Sequence, residues 1–429
     1  MTRSPVWHPF TQHGLAEPIP LITHAEGAIL HTSDGRRVVD AISSWWVTTH
    51  GHCHPGIVAA IAEQAGKLDQ LIFAGWTHEP AERLAAELVA LIAAELGERA
   101  LPYVFFSDSG STAVEVALKM ALGYWANRGP ENGKAPRHRL LVLEHSYHGD
   151  TIGAMSVGAR GVFNAAYAPL LFDVGTIPFP APGHEQACLD ALERACKEER
   201  PAAFIVEPLV LGAGGMLFYP PKMLRSMRAI CAQHNVLFIA DEVMTGWGRT
   251  GSLLACSQAG VVPDIVCLAK GITGGAMPLA VTLASEAVYD AHYSTDRAKT
   301  FYHSSSYTAN PIACAAALAN LAVWRDEPVG ERIATLAARQ EAGRAMLAQV
   351  PLVENARVCG TILALDYKVE SAGYLSTLAP RLLAHFREAD LLIRPLGNTV
   401  YLLPPYCIEE ADLALCHAAL AQAAELIAG

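Results

Sequence analysis

The sequence has few charged residues, and acidic residues outnumber basic ones. Charged residues make up 17% of the 429 positions, and 31 Lys and Arg stand against 42 Asp and Glu, for a formal net charge of −11. A protein that binds nucleic acid or an anionic lipid surface needs the opposite sign of charge. We therefore expect small-molecule partners, no nucleic acid and no membrane.

Long apolar runs, a signal-like start and paired cysteines are also lacking. The longest apolar stretches are interrupted by Gly, Asn or Glu, so none predicts a membrane span. Residues 1–10 contain Arg, Pro, Trp and His where a signal peptide would need an apolar run. The ten cysteines form no C-x-x-C pair, and Cys267 and Cys314 lie in apolar segments. This favours reduced thiols and a cytoplasmic location.

The chain does contain short apolar runs that alternate with longer segments of helical period. This alternation is typical of an α/β protein with a mainly parallel sheet. Amphipathic helices are predicted over Glu82–Leu96 and Pro221–His234, and the pattern changes after residue 326. The candidate strands are Tyr103–Phe106, Leu140–Leu143, Ala203–Val206, Val236–Ala240, Ile265–Ala269 and Leu279–Leu283.

Two of these strands end in charged side chains, Asp241 after one and Lys270 after the other. The carboxyl ends of parallel strands line the ligand crevice of such sheets, so both charges would reach one place. A poorly solvated lysine has a lowered pKa and can form a Schiff base. A nearby carboxylate can hold a proton on a pyridine nitrogen, as pyridoxal phosphate requires. Taken singly, either residue is better interpreted as an ordinary strand-end lysine or turn aspartate, and only the combination with further motifs of the chain favours the cofactor site.

Two further segments follow predicted strands. Ser109-Gly110-Ser111 precedes a helical run and would present backbone N–H groups and hydroxyls to a phosphate, although the same residues are common helix caps. Tyr147 follows another strand and would place an aromatic face at the same sheet edge, where it could stack on a planar cofactor or simply pack.

Two other kinds of site are disfavoured. Residues 50–54 read His-Gly-His-Cys-His and contain good zinc ligands, but no second, spaced cluster accompanies them, so we expect no metal. A nucleotide-binding module is disfavoured because no Walker lysine follows the Ser-Gly-Ser turn and no G-x-G-x-x-G opens a helix.

A series of short motifs resembles the class III (ω-amino acid) pyridoxal-phosphate aminotransferases over nearly the whole chain. The motifs are Asp-Ser-Gly-Ser at 108–111, Tyr-His-Gly at 147–149, Glu-Pro at 207–208, Asp-Glu-Val at 241–243, Gly-x-Gly-Arg-Thr-Gly at 246–251 and Lys-Gly at 270–271. The resemblance implies fold type I, with a large mainly parallel sheet domain over 60–326 and a small α+β domain built from 1–59 and 327–429. It also implies pyridoxal 5'-phosphate as cofactor and a homodimer with active sites at the subunit interface.

The resemblance also implies roles for single residues. Lys270 would be the Schiff-base lysine and proton shuttle, Asp241 the partner of the pyridinium nitrogen, and Tyr147 a residue lying on the ring. The implied cofactor-binding residues also include Gly110, Ser111, Ser305 and Ser306, of which the last two belong to a loop expected to reach the partner subunit's site. The implied substrate-binding residues are Phe10, Trp45, Tyr147, Arg249, Ser304, Arg394 and Tyr401.

The ends of the chain are similar to the biotin-synthesis branch of this family. The segments that carry this likeness are 7–11, 43–46, 393–395 and 401–406. The branch implies S-adenosylmethionine as amino donor and 8-amino-7-oxononanoate as acceptor. Phe10, where a Tyr is common, and the serines at 304–306, where Gly-Pro-Thr is common, leave two alternatives open. These are lysine as the donor, and a general ω-amino acid or diamine transaminase. An aminomutase shares the Lys and Asp machinery but is disfavoured by Trp45-Trp46 and Arg394.

Overall fold

A computed structural model describes residues 4–131, 133–369 and 378–428. Residues 1–3, 370–377 and 429 of the predicted small domain, and residue 132 of the large one, lie outside this part of the chain. Its strands are β1 Ile22–Glu26, β2 Ile29–Thr32, β3 Arg37–Asp40, β4 Tyr103–Ser107, β5 Leu140–Leu143, β6 Gly175–Ile177, β7 Ala203–Val206, β8 Val210–Leu211, β9 Leu217–Phe218, β10 Leu237–Asp241, β11 Ile265–Leu268, β12 Ala280–Ala284, β13 Val353–Cys359, β14 Ile362–Tyr367, β15 Leu391–Leu392 and β16 Thr399–Leu402.

The helices differ widely in length. The α-helices are α1 Ser43–Trp46, α2 Pro55–Ala65, α3 Glu79–Leu96, α4 Gly110–Arg128, α5 Ile152–Ser156, α6 Glu185–Glu199, α7 Pro221–Gln233, α8 Ala255–Ala259, α9 Glu286–Asp290, α10 Pro311–Asp326, α11 Val329–Leu347, α12 Leu378–Glu388, α13 Glu410–Ala423 and α14 Glu425–Ala428. Short 3₁₀ helices cover His13–Leu15, Ala165–Leu170, Lys270–Thr273 and Arg297–Lys299. Among the described residues, every helix is too short or too polar to cross a lipid bilayer.

A seven-stranded sheet forms the centre of the molecule, in the order β4-β12-β11-β10-β7-β5-β6. Strands β11, β10, β7, β5 and β6 pair in parallel, whereas β12 is antiparallel to both β11 and β4. The predicted α/β class with a mainly parallel sheet is therefore confirmed. Because β12 reverses direction, β4 runs the same way as the parallel strands, and all of them end at one edge.

The central sheet is buried on both faces by alternate residues of each strand. In β7, Phe204 and Val206 join one core cluster, whereas Ala203 and Ile205 join the other. Strands covered on both faces read as continuous apolar runs. This explains why these strands were identifiable in the sequence to within one or two residues.

The helices that cover the sheet start with recognisable signals. Helix α4 begins after Ser109, whose side chain accepts from the Thr112 N–H in a capping box. Helix α3 begins at Glu79, three residues before the predicted start, because Pro80 suits a first helical turn and His78 caps the Ala81 N–H.

Residues from both ends of the chain share a smaller sheet. Strands β1, β2 and β3 form it together with β15, which pairs in parallel with β3. A second small sheet, β13-β14-β16, lies beside it, and both contribute to one apolar cluster that includes Val39, Leu363 and Phe386. The proposed domain boundaries at 59/60 and 326/327 stay a prediction.

Candidate active site

Residues that follow five strands meet in one cavity at the carboxyl edge of the central sheet. This inner cavity measures about 360 Å³. Asp108, Tyr147 and Glu207 follow β4, β5 and β7, Asp241 ends β10, and Lys270 lies just beyond β11. The sheet topology thus brings the predicted lysine, aspartate and aromatic ring together. Among the residues lining the cavity are Trp46, Asp108, Gly110, Ser111, Tyr147, His148, Glu207, Asp241, Val243 and Lys270.

Lys270 has an amine adapted to chemistry near neutral pH. Burial lowers its pKa to about 8, although Asp241 and Glu207 act in the opposite direction. At pH 7 about one amine in ten is then neutral, against fewer than about one in a thousand for an ordinary lysine. The Nζ atom lies 4.7 Å from the centre of the Trp46 ring. A neutral amine that faces a cavity is able to act as a nucleophile.

Asp241 is held by two donors inside the cavity wall. His148 Nδ1 donates to its Oδ2 at 2.7 Å, and the Val243 N–H donates to its Oδ1 at 3.1 Å. Both Asp241 and His148 are buried, and His148 Nε2 is a buried nitrogen without a partner in the protein. This pair fixes the orientation of a negative charge within the cavity.

The start of α4 forms a small cradle on another wall of the cavity. The first N–H groups of a helix have no intrahelical partners, so those of Gly110 and Ser111 are available to an anion. A Cβ on Gly110 would lie 2.7 Å from Val243 Cγ1, so the close approach requires glycine. The Ser111 hydroxyl accepts from the Asp150 N–H at 3.3 Å.

The chemistry of these donors fits the cofactor that the sequence predicts. The helix start can bind a phosphate, Asp241 can face a ring nitrogen, Lys270 can attack a carbonyl carbon, and Tyr147 can cover a ring. The unpartnered His148 Nε2 is a further donor or acceptor that a bound group could use.

Tyr147 lines the inner cavity and is fixed through its backbone. Its N–H donates to Glu207 Oε1 at 3.0 Å, and Glu207 Oε2 accepts from the Gly212 N–H at 2.9 Å. Burial raises the pKa of the Glu207 carboxyl to about 7 and also raises the pKa of the Tyr147 phenol. Glu207 therefore holds the loop that carries Tyr147 against the cavity.

A second, outer cavity of about 410 Å³ opens from the first and is largely aromatic. Phe10 and Trp45 are in ring contact at 5.3 Å, and Phe163 lies 6.2 Å from Phe10. The Arg394 guanidinium lies 5.5 Å from the Trp45 ring and donates to the Phe10 carbonyl at 3.1 Å. Its remaining N–H groups can bind a carboxylate. The other residues lining this cavity include Trp46, Tyr147, Asp150, Lys270 and Tyr401.

The two adjacent tryptophans occupy different environments. Trp45 is 44% exposed, whereas Trp46 is buried and donates from Nε1 to the Tyr401 hydroxyl at 2.9 Å. Both line the outer cavity, but Trp46 also reaches Lys270. The resemblance implied a substrate-facing role for Trp45, which stays a prediction, and the structure adds Trp46 to the same cavity wall.

Arg249, predicted to bind substrate, lies behind the tryptophan turn. Its side chain is almost fully buried, and its guanidinium donates to the carbonyls of Pro404, Trp46 and Thr48 at 3.0–3.3 Å. It does not line the inner or the outer cavity. Its Nη1 and Nη2 atoms donate to backbone and hold the Trp46 turn, whereas the buried Nε has no partner among the described residues. Its role in binding substrate stays a prediction.

The serine loop lies outside both cavities of its own chain. Ser305 Oγ donates to Asp108 Oδ2 at 3.1 Å, the Ser304 hydroxyl contacts Thr308 Oγ1, and the Ser306 carbonyl accepts from Gln70. These contacts fix the loop beside the α4 start. Its predicted reach into the partner subunit's site stays a prediction.

Sequence reasoning gave no role to His148 or Glu207, although it quoted both within family motifs. Two signals were available. His148 follows Tyr147 at a strand end, and Glu207 comes directly after the buried β7, so each was placed at the same edge as Asp241.

Two of the three histidines of residues 50–54 have partners, which differ, whereas both ring nitrogens of His50 are buried without a hydrogen bond to the described part of the chain. His52 Nε2 donates to Asp40 at 2.8 Å, and His54 Nε2 contacts Glu327 at 2.9 Å. Burial lowers the pKa of His50 to about 3. Within the described ranges, no three His, Cys, Asp or Glu side chains lie together as a metal site would require.

The sequence of the chain is similar to a known protein family. The family model "Aminotransferase class-III" matches residues 11–424. A protein of Synechococcus elongatus named adenosylmethionine-8-amino-7-oxononanoate aminotransferase is 47% identical over 425 residues, which are 97% of each chain. A Nitratidesulfovibrio vulgaris protein of the same name is 40% identical over 95% of this chain and 78% of its own.

Two solved structures are similar over almost the whole chain. The first, an adenosylmethionine-8-amino-7-oxononanoate aminotransferase of Methanocaldococcus jannaschii, has a TM-score of 0.92 and 32% identity and covers 99% of this chain and 97% of its own. The second is an amine transaminase from an uncultivated Pseudomonas species, in a PLP-bound form. Its TM-score is 0.91 and its identity 32%, with 99% of each chain covered.

Proposed function

The chain belongs to the class III aminotransferases, and we propose that it transfers the amino group of S-adenosylmethionine to 8-amino-7-oxononanoate. The product is 7,8-diaminononanoate, on the route to biotin. The enzyme is a pyridoxal-phosphate-dependent transaminase of fold type I. The observation that carries the substrate assignment is the outer cavity, where an aromatic wall and one arginine lie beside Lys270.

Pyridoxal phosphate, when bound, supplies an electron-withdrawing ring that stabilises negative charge on the substrate carbon. The α4 start, with Gly110 and Ser111, would hold its phosphate, and Tyr147 would pack against its ring. Asp241, oriented by His148 at 2.7 Å, keeps a negative charge beside the ring nitrogen. Lys270 takes a proton from the substrate carbon and returns it, because its pKa near 8 suits both directions at neutral pH.

The outer cavity supplies the recognition. Phe10, Trp45 and Tyr401 suit the aliphatic chain of a keto acid, and an aromatic wall also attracts a sulfonium cation. Arg394 suits the carboxylate that both substrates carry. The missing hydroxyl at Phe10 leaves this arrangement intact, because Arg394 bonds to the Phe10 backbone and not to its side chain.

A homodimer completes the proposal. The segment around residues 69–76 is tied to the serine loop, since the Gln70 side chain donates to the Ser306 carbonyl, and Asn310, just after the loop, donates to the Asp69 carbonyl and to Gln70 Oε1. These joined segments carry strongly exposed apolar and aromatic side chains, which are Ile72, Trp76, Tyr302 and Tyr307. A second copy of the chain would cover these side chains, and the serine loop of each copy would then reach the active site of the other.

A donor comparison tests the proposal. We expect S-adenosylmethionine, and neither alanine nor a simple diamine, to convert the bound cofactor to its amino form in a single half-reaction. The measurement is a shift of its absorbance to shorter wavelength. Trp45→Ala should slow this step, and Phe10→Tyr should change it little. A shift with lysine or a diamine, but not with S-adenosylmethionine, would replace this donor.

A second candidate is a general ω-amino acid or diamine transaminase. The observation that favours it is the structural similarity to an amine transaminase at 32% identity over 99% of both chains. It shares the cofactor chemistry and differs only in what the outer cavity binds, so the acceptor decides between the two.

Removal of the Arg394 guanidinium should separate the two candidates. Arg394→Gln keeps part of the side-chain stem and removes the charge. We expect binding of 8-amino-7-oxononanoate to weaken by about 2–5 kcal/mol, the usual cost of breaking a desolvated charge pair. An uncharged amine should lose much less. The measurement is kcat/KM for each substrate, and equal losses would make Arg394 a structural residue.

A further inference from the structure

The turn that carries the two tryptophans has an unfavourable backbone. Ser43, Ser44 and Trp46 have φ angles of 52°, 59° and 67°, in the left-handed region that residues with a side chain rarely adopt. Such conformations persist only where the surrounding structure holds them in place, and they cluster at functional sites. The turn therefore needs an anchor.

Asp40, the last residue of β3, supplies that anchor. Its carboxylate is fully buried and receives the Ser44 N–H on both oxygens, at 2.8 and 2.6 Å. It also accepts from the Ile42 N–H at 3.3 Å, from the Ser44 hydroxyl at 3.3 Å and from His52 Nε2 at 2.8 Å. A buried carboxylate is tolerated only with such a set of donors, so the turn and the anchor depend on each other.

The consequence is a specific placement of both indoles. Trp46 is directed to Tyr401 and Lys270, at 2.9 Å from the hydroxyl and 4.7 Å from Nζ. Trp45 is directed to Phe10 and Arg394. Although they are neighbours in sequence, both side chains line the outer cavity.

We propose that Asp40, assisted by His52, is a positioning residue that shapes the substrate cavity by holding the Ser43–Trp46 turn. It touches neither cavity and acts only through the tryptophans. The inference deepens the proposed function, since it concerns how the outer cavity recognises its substrate.

Asp40→Asn is the direct test, because the amide keeps the size of the side chain but replaces one acceptor by a donor. In the holoenzyme we expect the KM for 8-amino-7-oxononanoate to rise about tenfold while kcat changes less than about threefold, since the lost interaction is one of binding. The matched control is Asp264→Asn, a partly buried carboxylate that also accepts from a backbone N–H, that of Phe238, and that lines neither cavity. It should leave the KM unchanged, and an equal KM rise in both variants would overturn the proposal.

A reading that needs no substrate accompanies the kinetics. Quenching of tryptophan fluorescence by acrylamide is measured in the wild type and in Asp40→Asn, each with and without the additional change Trp46→Phe. The difference between the two members of each pair gives the fluorescence of Trp46 alone. Trp46 is buried in the wild type and should become clearly quenchable in Asp40→Asn. Unchanged quenching in a folded Asp40→Asn protein would overturn the proposal. If the wild type does not use 8-amino-7-oxononanoate, the proposed function fails and quenching alone decides the role of Asp40.

Variants at His52 keep the proposal testable if Asp40→Asn does not fold. His52→Phe removes one donor to Asp40 and should raise the KM in the same direction, by about threefold, as a lost binding interaction does. His52→Gln retains an N–H donor and should restore the wild-type KM. Equal KM values for His52→Phe and His52→Gln would contradict a role of this hydrogen bond.

Discussion

Replacement of Lys270 by alanine is expected to abolish the visible absorbance that pyridoxal phosphate gains when the lysine holds it, and to lower kcat by about 10³-fold or more. Two roles are lost together. We propose that the amine is both the nucleophile that fixes the cofactor and the group that moves the proton at the substrate carbon. Lys270 is the lysine that lines the inner cavity.

Two measurements, the absorbance spectrum and the single-turnover rate, test the two proposed roles of Lys270 separately. A spectrum without the visible band shows that the cofactor link is lost, and a single-turnover rate shows that proton transfer is lost. The matched control is Lys67→Ala, a solvent-exposed lysine paired with Glu63 on α2, which should leave both unchanged. A yellow and active Lys270→Ala protein would contradict the assignment.

The lowered pKa of Lys270 comes from two opposing effects. Asp241 and Glu207 both favour the charged amine, yet burial outweighs them and the pKa falls to about 8. Burial also raises the pKa of Glu207 to about 7, so this carboxyl is partly protonated near neutral pH and stabilises the lysine charge less than a full carboxylate would. Burial in one cavity thus brings the pKa values of the Lys270 amine and the Glu207 carboxyl close to neutral pH. Such shifted pKa values are common at catalytic sites.

Much of the catalytic end of the sheet could be predicted from the sequence. A strand buried on both faces reads as a continuous apolar run, and a charge at its end is conspicuous, which identified Asp241 and Lys270. Parallel strands end at one edge, so their proximity followed without any knowledge of distances. The antiparallel β12 was not anticipated, because an apolar run carries no sign of its direction.

The remaining parts of the site depend on contacts between distant segments. Arg249 lies in a family motif, but only the folded chain shows that three carbonyls use its guanidinium. The orientation of Trp46 depends on a left-handed turn anchored by Asp40, and a Ser-Ser-Trp-Trp sequence does not reveal such a backbone. The sequence placed Glu207 at the end of a strand but did not indicate its partner. The hydrogen bond that it accepts from the Tyr147 N–H joins two loops that are 60 residues apart.

Asp241→Asn is expected to keep the cofactor bound and to lower kcat by about 10²–10³-fold, the usual cost of removing one preorganised electrostatic interaction. The amide has nearly the same shape and can still accept from the Val243 N–H, which bonds to Oδ1 at 3.1 Å. What it loses is the negative charge that His148 orients from 2.7 Å. Without that charge the ring nitrogen does not hold its proton, and the ring withdraws fewer electrons from the substrate carbon.

The control for this variant is Asp264→Asn, because Asp264 is also a partly buried carboxylate that accepts from a backbone N–H, at the start of β11 and away from the cavity. It should leave kcat within about twofold of the wild type, as expected for a residue that does not contact the reacting atoms. Cofactor retention is measured by absorbance after dialysis, and kcat by steady-state transamination. If Asp241→Asn retained the wild-type kcat, its carboxylate would be a structural partner of His148, and the inner cavity would have to stabilise the substrate carbanion by other means.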